Sequence, residues 1–364
     1  MRMSSERASR RQCGYILVEM LVSTLIMCGV VGVLLQLAAS GQHVLRAQGD
    51  AADLQQRLRV AVVAMQRDLL LAGSGPSQGA WRGRLVEVFA PVVPARTGAR
   101  RGDAELSHFS DRISIVYVPD VPAQTSLVAA MASPGAPLGI DSAAAGCPAG
   151  GACGFSPGDR ALIFDPAGVG GGYDLFTVEA AGPGQLLAAA GTISKAYPAG
   201  SPVVQVVQRT YYLDHAGYRL MVYDGDASDV PLVDHVVDLR VAYYADPAPD
   251  SVPRPPAGTS TCVYGAGDPP ISLLANLGGL APKRLSPVHL TDGPVCGNAP
   301  NRFDGDLLRV TRIAVTIRLE TEAAELRGAG PAFLRPGRST DGARYVPDQQ
   351  VTFEVSPRNM GPVR

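Results

Sequence analysis

Hydrophobic residues follow a pattern that changes twice along the chain. Residues 15–39 are almost wholly apolar, apart from Glu19, Gln36 and a few small hydroxyl residues. After Ser40 the apolar positions recur at steps of three and four residues, which indicates an amphipathic helix. These positions are Leu54, Leu58, Ala61, Met65 and Leu69. No proline interrupts residues 15–72, and Gly73 is a natural helix end. We therefore predict one helix over 15–72; the alternative is two helices with a break near Ser40 and Gly41.

Beyond Gly73 the pattern becomes one of short alternating segments, which are typical of strands. The predicted strands cover residues 85–91, 111–118, 160–165, 173–182, 185–191, 201–214, 217–224, 235–246, 308–322 and 349–359. Residues 119–158 and 247–306 are rich in glycine and proline and are predicted to be irregular insertions. One long helix followed by antiparallel strands predicts an α+β fold, in which the helix packs on an antiparallel sheet.

The amino-terminal segment has the features of a membrane insertion signal. Residues 1–14 carry four arginines and one glutamate, and residues 15–39 would form a helix of about 37 Å, enough to cross a bilayer. Because the arginines precede the apolar run, we predict a cytoplasmic amino terminus and an exported carboxy-terminal part.

Glu19 separates three interpretations of this apolar run. A secretory signal peptide cleaved near Ala38-Ala39-Ser40 would have an unusually long core. A plain signal anchor would carry a carboxylate at a depth where charge costs several kcal/mol. In the third interpretation the acid has a partner that appears only when the helix assembles with others.

Six cysteines are present, and four of them lie far downstream of the apolar run. In an exported domain an even set suggests two disulfides among Cys147, Cys153, Cys262 and Cys296. Three pairings are open, and Cys147–Cys153 with Cys262–Cys296 is the simplest. A metal site is the alternative, but neither pair has CxxC spacing and no histidine cluster is nearby.

The remaining residues give little sign of other chemistry. The five histidines are scattered, and no hydrolase, nucleotide-loop or dinucleotide motif is present. The net charge of −1 gives no basic excess for nucleic acid. The segment with Asp224, Asp226 and Asp229 begins like a calcium loop but lacks the later glycine and glutamate, so a solvated turn is preferred. We predict no enzyme activity, no cofactor and no metal.

The segment Gly14-Tyr15-Ile16-Leu17-Val18-Glu19 resembles the cleavage signal of type IV prepilins and pseudopilins. That pattern has a basic leader, a glycine, an aromatic residue, a glutamate at the fifth mature position and a long apolar run. The resemblance implies cleavage between Gly14 and Tyr15, N-methylation of Tyr15, and an assembly ion pair made by Glu19. This chain has Tyr15 where the family usually has phenylalanine.

Further segments resemble the larger minor pilins of the PilW-like kind and the J-like pseudopilins. They are the helix end Met65–Gly73, the strand ending in Tyr-Tyr-Leu-Asp, the strand with Tyr243 and Tyr244, and the last strand with Arg358 and Asn359. The implied organisation is a cleaved leader 1–14, a membrane or filament-core helix 15–39, an amphipathic half 40–73 and a periplasmic domain 74–364. Residues 159–209 resemble the extra β-rich segment of the PilW-like branch.

These resemblances imply a minor pilin at the tip or initiating complex of a type IV pilus. The implied partners are prepilin peptidase, other minor and major pilins, and the inner-membrane assembly platform. The nearer alternative is a J-like pseudopilin of a type II secretion system, and the more distant one is a membrane-anchored periplasmic enzyme or binding protein.

Overall fold

A computed structural model of the chain describes residues 15–79, 81–99, 103–144, 147, 151–166, 172–248, 252, 254, 260–265, 274–339 and 345–361. The chain divides into two compact units, which are taken separately below. One consists of Met1–Asp53 and Ala323–Pro347, and the other of Leu54–Glu322 and Asp348–Arg364.

Helix α1 spans Tyr15–Leu71 and is continuous through Ser40 and Gly41, so the prediction of one long helix is confirmed and the alternative of a break there is wrong. It ends where Gly73 adopts a φ of +76°, a conformation that costs glycine little and other residues more. The strands formed by the described residues are, in chain order, β1 Val92–Val93, β2 Arg112–Tyr117, β3 Gln124–Ser126, β4 Leu138–Gly139, β5 Arg160–Phe164, β6 Tyr173–Gly182, β7 Gln185–Ala188, β8 Pro202–Gln205, β9 Val207–Asp214, β10 Arg219–Tyr223, β11 Asp229–Asp234, β12 Val236–Ala245, β13 Lys283–Arg284, β14 Val295–Cys296, β15 Phe303–Asp304, β16 Val310–Leu319 and β17 Gln349–Val355.

The first sheet supports the carboxy-terminal half of α1. Its strand order is β1-β2-β9-β10-β11, and every neighbouring pair is antiparallel. The helix buries Leu54, Ala61, Met65 and Leu69 at the predicted three- and four-residue steps. Hydrogen bonds from Tyr117 of β2 and Tyr211 of β9 to Asp68 place this face against the sheet.

The second sheet has the order β13-β12-β16-β17 and is also antiparallel. Leu239, Val241 and Tyr243 of β12 are buried at alternate positions, as expected of a sheet with one covered face. The Val241 N–H donates to Ser110 O, just before β2, and the Val236 N–H donates to Tyr218 O, just before β10. These bonds attach the second sheet to the first.

Of the remaining eight strands, β14 and β15 pair with each other and the other six form a closed β-barrel. Their order is β3-β8-β5-β6-β7-β4, and an antiparallel bridge between Leu127 and Ile140 joins the two end strands. The interior is filled by buried apolar side chains, among them Ile163, Phe176 and Leu186. β2 and β9 are neighbours in the first sheet, so the whole barrel is an insertion between two paired strands.

The structure corrects three predictions about this region and its surroundings, and it adds one strand that was not predicted. Residues 119–158 are not an irregular loop, because they supply β3 and β4 of the barrel. The predicted strand 85–91 is a 3₁₀ turn over Leu85–Glu87. The predicted strand 201–214 changes partners at Val206 and becomes β8 and β9. β11 was not predicted, since it contains Pro231 and lies at a sheet edge, where a missing N–H is tolerated.

The Ala323–Pro347 segment of the smaller unit folds onto itself. It begins with a 3₁₀ turn over Ala324–Leu326, and the rings of Phe333 and Tyr345 meet edge to face at 5.4 Å. Backbone bonds from Val346 to Leu326 and from Arg338 to Ala324 close the loop. The described parts of this segment, 323–339 and 345–347, lie between β16 and β17 in the chain.

Candidate functional site: the amino-terminal helix and its anchor

The segment Leu17–Ala38 of α1 is an apolar surface that the folded chain leaves uncovered. It has a mean hydropathy of 2.3 and none of it is buried, and Leu17 is 75% exposed. Exposed apolar patches of this size are rare in monomeric soluble proteins and mark contact with a membrane or another protein. The segment is also long enough to cross a bilayer, so the described residues contain one helix with the length and composition of a membrane span.

Glu19 is the only charged residue between Leu17 and Ala38. Its side chain is exposed and makes no ion pair or hydrogen bond within the part of the chain that the structure describes. In an apolar medium an uncompensated carboxylate costs several kcal/mol, and a cation close by removes much of that cost. The helix therefore carries an acid without a partner at the place where a partner matters most.

Only one of the two residues of the predicted cleavage site lies within the described part of the chain. Gly14 lies outside the described residues, and Tyr15 is the first residue of α1. Tyr15 and Glu19 are four positions apart in the helix, which is about one turn.

Asp68 anchors the other end of α1 to the first sheet. Its carboxylate accepts hydrogen bonds from the Tyr117 hydroxyl at 3.1 Å and the Tyr211 hydroxyl at 2.8 Å. All three residues are buried, with Asp68 8% exposed. Burial together with the neighbouring Asp68 raises the pKa of Tyr117 to about 12 and also raises the pKa of Tyr211. Both phenols therefore stay protonated and continue to donate throughout the physiological pH range.

The end of α1 meets the carboxy-terminal segment of the chain. A Cβ on Gly73 would lie 3.1 Å from Pro91 Cγ, 3.2 Å from Met360 Cγ and 3.3 Å from Asn359 O. The Gly73 N–H donates to Val116 O, and the Leu85 N–H donates to Gly73 O. Two segments singled out in the sequence, the helix end at Gly73 and the last strand's Arg358-Asn359, are thus brought together. The space between them leaves little room for a side chain.

Both disulfides of the simplest pairing are present. Cys147 is bonded to Cys153 and Cys262 to Cys296. The first lies beside the barrel interior, with Cys153 3% exposed, and the second closes a separation of 34 residues in the 247–306 insertion. Disulfides are typical of oxidising compartments, which fits an exported domain. Cys28 is free and exposed on α1.

Two of the three aspartates of the calcium candidate, Asp224 and Asp229, have other partners for their carboxylates. Asp224 accepts from the backbone N–H groups of Asp226 and Ser228, as in a tight polar turn. Asp229 pairs with Arg96 at 2.6 Å and accepts a hydrogen bond from Tyr212. The preferred interpretation, a solvated turn, agrees with this arrangement.

A different acidic group, not noticed in the sequence, is formed by Asp292, Asp304 and Asp306, whose carboxylate oxygens lie within 4.8 Å of one another. Burial raises the pKa of Asp304 to about 6 and also raises the pKa of Asp306. Asp304 accepts from the N–H groups of Gly293 and Asp306, while Asp306 pairs with Arg309 at 3.0 Å. These bonds stabilise the turn Gly305–Arg309, so the buried acids have a structural role. Asp292 lies 12 positions before Asp304, a spacing that gave no local motif that would have revealed the group.

Comparison with protein-family models, with curated proteins and with solved structures finds no match to this chain.

Proposed function

We propose that this chain is a minor pilin of a type IV pilus, PilW-like, which acts in the tip or initiating complex. The observation that carries the proposal is the exposed span Leu17–Ala38 with one unpaired acid, Glu19, near its start. A plain anchor has no use for that acid, whereas a subunit that joins other helices does.

Cleavage after Gly14 would create the missing partner. The new α-amine of Tyr15 on one subunit is a cation, and Glu19 of an adjacent subunit is an anion in the same apolar layer. Their attraction is far stronger there than in water, and it relieves the cost of burying either charge alone. The pair also selects one axial register between neighbouring helices, as a single buried polar residue does in a coiled coil.

The inserted barrel supports a position at the tip. A repeating filament needs each globular domain to fit among identical neighbours, and a six-stranded barrel between β2 and β9 adds bulk that such a lattice would have to accommodate. A subunit at the end of the filament has no neighbour beyond it and escapes this constraint.

The proposal includes a route to the assembled state. The chain is inserted in the inner membrane with its leader in the cytoplasm, prepilin peptidase removes residues 1–14, and the platform transfers it among minor and major pilins. The disulfide-bonded domain lies in the periplasm in this scheme, consistent with its cysteine pairing.

Mass spectrometry of the mature protein from its native host tests this proposal. We expect an amino terminus at Tyr15, with the mass increase of one methyl group. An amino terminus at Met1, or one after Ser40, would refute it. A Gly14→Leu variant is the matched control, since it should retain the leader and remain in the membrane fraction.

A further inference from the structure

The outer face of the barrel carries a cavity of about 390 Å³. It is lined by β3 and β8, which contribute Gln124, Ser126 and Val204, and also by Trp81 and Asp141. The volume lies near the lower end of the range usual for small-molecule sites, about 300–1,000 Å³. The cavity is distant in sequence from Glu19, and nothing in the proposed assembly role uses it.

The aromatic wall of this cavity is held in place. Trp81 packs edge to face on Phe164 of β5, with ring centroids 4.7 Å apart. Phe164 is fully buried on the outer side of the barrel wall, whereas Trp81 remains partly exposed. The indole therefore has a fixed position and still presents surface to the cavity.

Several polar side-chain groups that line the cavity are free to bind a ligand. Within the described part of the chain, the indole N–H of Trp81, the side-chain amide of Gln124 and the hydroxyl of Ser126 make no hydrogen bond. Asp141 uses one carboxylate oxygen to accept from the Ala143 N–H at 2.9 Å. The cavity thus offers three donor groups, several acceptors and one aromatic surface.

This combination selects a class of ligand. A hydroxyl group both donates and accepts, so a polyhydroxylated ring matches adjacent donors and acceptors, and its C–H face packs on an indole. No Lys, Arg or His lines the cavity among the described residues, which disfavours phosphate and acidic sugars. A single aromatic residue does not form the cage that quaternary ammonium ligands require.

We propose that the cavity between Trp81, Gln124 and Asp141 on the barrel wall is a binding site for one pyranose unit of a neutral or amino sugar. The sugar ring lies on the Trp81 indole, and its hydroxyl groups exchange hydrogen bonds with Gln124, Ser126 and Asp141. This site does not depend on the pilin proposal and can fail or hold independently of it.

The chain provides its own probe for the test. Trp81 is the only tryptophan, so fluorescence excited selectively at the tryptophan reports on this cavity, without a contribution from the tyrosines. The full-length protein is held in a detergent without a sugar headgroup, because a maltoside would compete. It is titrated to about 10 mM with methyl glucoside, methyl galactoside, N-acetylglucosamine and glucosamine, and separately with choline and inorganic phosphate, which detects sites with a Kd of about 1 mM or tighter.

We expect a saturable change in Trp81 fluorescence with at least one sugar. Gln124→Ala and Asp141→Ala keep the tryptophan and should each weaken that binding about tenfold. Ser286→Ala, in a separate cavity beside Tyr243 and Arg284, is the matched control and should leave the titration unchanged. Unchanged circular dichroism and melting temperature exclude loss of folding as the cause.

Three results would overturn the proposal. One is the absence of any saturable change with all four sugars. Another is binding that neither Gln124→Ala nor Asp141→Ala weakens. The third is tighter binding of choline or phosphate than of every sugar, which would assign the cavity to a charged ligand.

Discussion

The Asp68 carboxylate of α1 accepts a hydrogen bond from the Tyr211 hydroxyl of β9 at 2.8 Å, in a buried position between helix and sheet. Residues 143 positions apart in the chain are joined in this way. Tyr117 of β2 donates to the same carboxylate at 3.1 Å, so one acid connects the helix to two adjacent strands. A buried carboxylate is stable here because two phenols supply the hydrogen bonds that water would otherwise provide.

Removing this acid should destabilise the domain. Asp68→Ala leaves two buried phenols without an acceptor, and we expect a loss of about 2–3 kcal/mol in the free energy of unfolding. Tyr211→Phe removes one bond and keeps the ring, so its effect should be smaller, about 1–2 kcal/mol. Urea denaturation measures both, with the exposed Gln66→Ala on the same helix as the control. Equal stability of Asp68→Ala and Gln66→Ala would mean that the cluster contributes nothing.

The helix and most of the strands were predictable because their signals are local. The 3.6-residue period places Met65 and Leu69 on one face, and the alternation in β12 and β16 has a period of two. The side chains that touch Asp68 were not predictable. Tyr117 and Tyr211 lie on strands separated by a complete barrel, and no pattern near Asp68 indicates that an acid on the apolar face has partners.

The barrel itself shows where local patterns fail. β3 and β4 are three and two residues long, too short for alternation to be recognised. They are strands because closure of the barrel supplies partners on both sides, through β8, β7 and the Leu127–Ile140 bridge. The segment 85–91 shows the opposite error, because it was predicted to be a strand and is not one. Its apolar residues are buried by a 3₁₀ turn after α1. Burial alone cannot distinguish a strand from a turn in seven residues.

Substitution of Glu19 tests the assembly role directly. Glu19→Ala makes the span more apolar, so membrane insertion should be kept or improved, while incorporation into the pilus complex should be lost. Crosslinking or co-purification with the other pilins measures incorporation. Gln36→Ala removes a polar group from the same span and is the matched control.

A Glu19→Asp variant retains the charge on a side chain that is shorter by one methylene. It should restore part of the incorporation if charge pairing is the cause. Normal incorporation of Glu19→Ala would remove the ion pair from the proposal, and failure of Gln36→Ala to assemble would point to general damage of the span.

Asp304 should make stability depend on pH. Burial raises its pKa from the ordinary 3.8 to about 6, so the folded chain binds this proton more tightly than the unfolded chain does. Its contribution to stability is therefore fully present below about pH 4 and is lost as the pH rises to about 6. The difference in unfolding free energy between the natural chain and Asp304→Asn should change by about 1–3 kcal/mol between pH 4 and 7. The exposed Asp120→Asn is the control, and a pH-independent difference for Asp304→Asn would contradict the assignment.

The disulfide between Cys262 and Cys296 should stabilise the folded chain substantially, although it lies in an insertion. Closing a loop of 34 residues restricts the unfolded chain, an effect of about 3–4 kcal/mol on chain-entropy grounds. Cys262→Ala combined with Cys296→Ala should therefore lower the free energy of unfolding by that amount, measured by urea denaturation of the oxidised proteins. Cys28→Ala removes a free, exposed thiol and should have no effect.

The Cys147–Cys153 disulfide closes a loop of only six residues. Breaking it should therefore lower the free energy of unfolding by less, about 2 kcal/mol. The reverse order of the two effects would show that native packing around each bridge, rather than loop closure, sets its contribution.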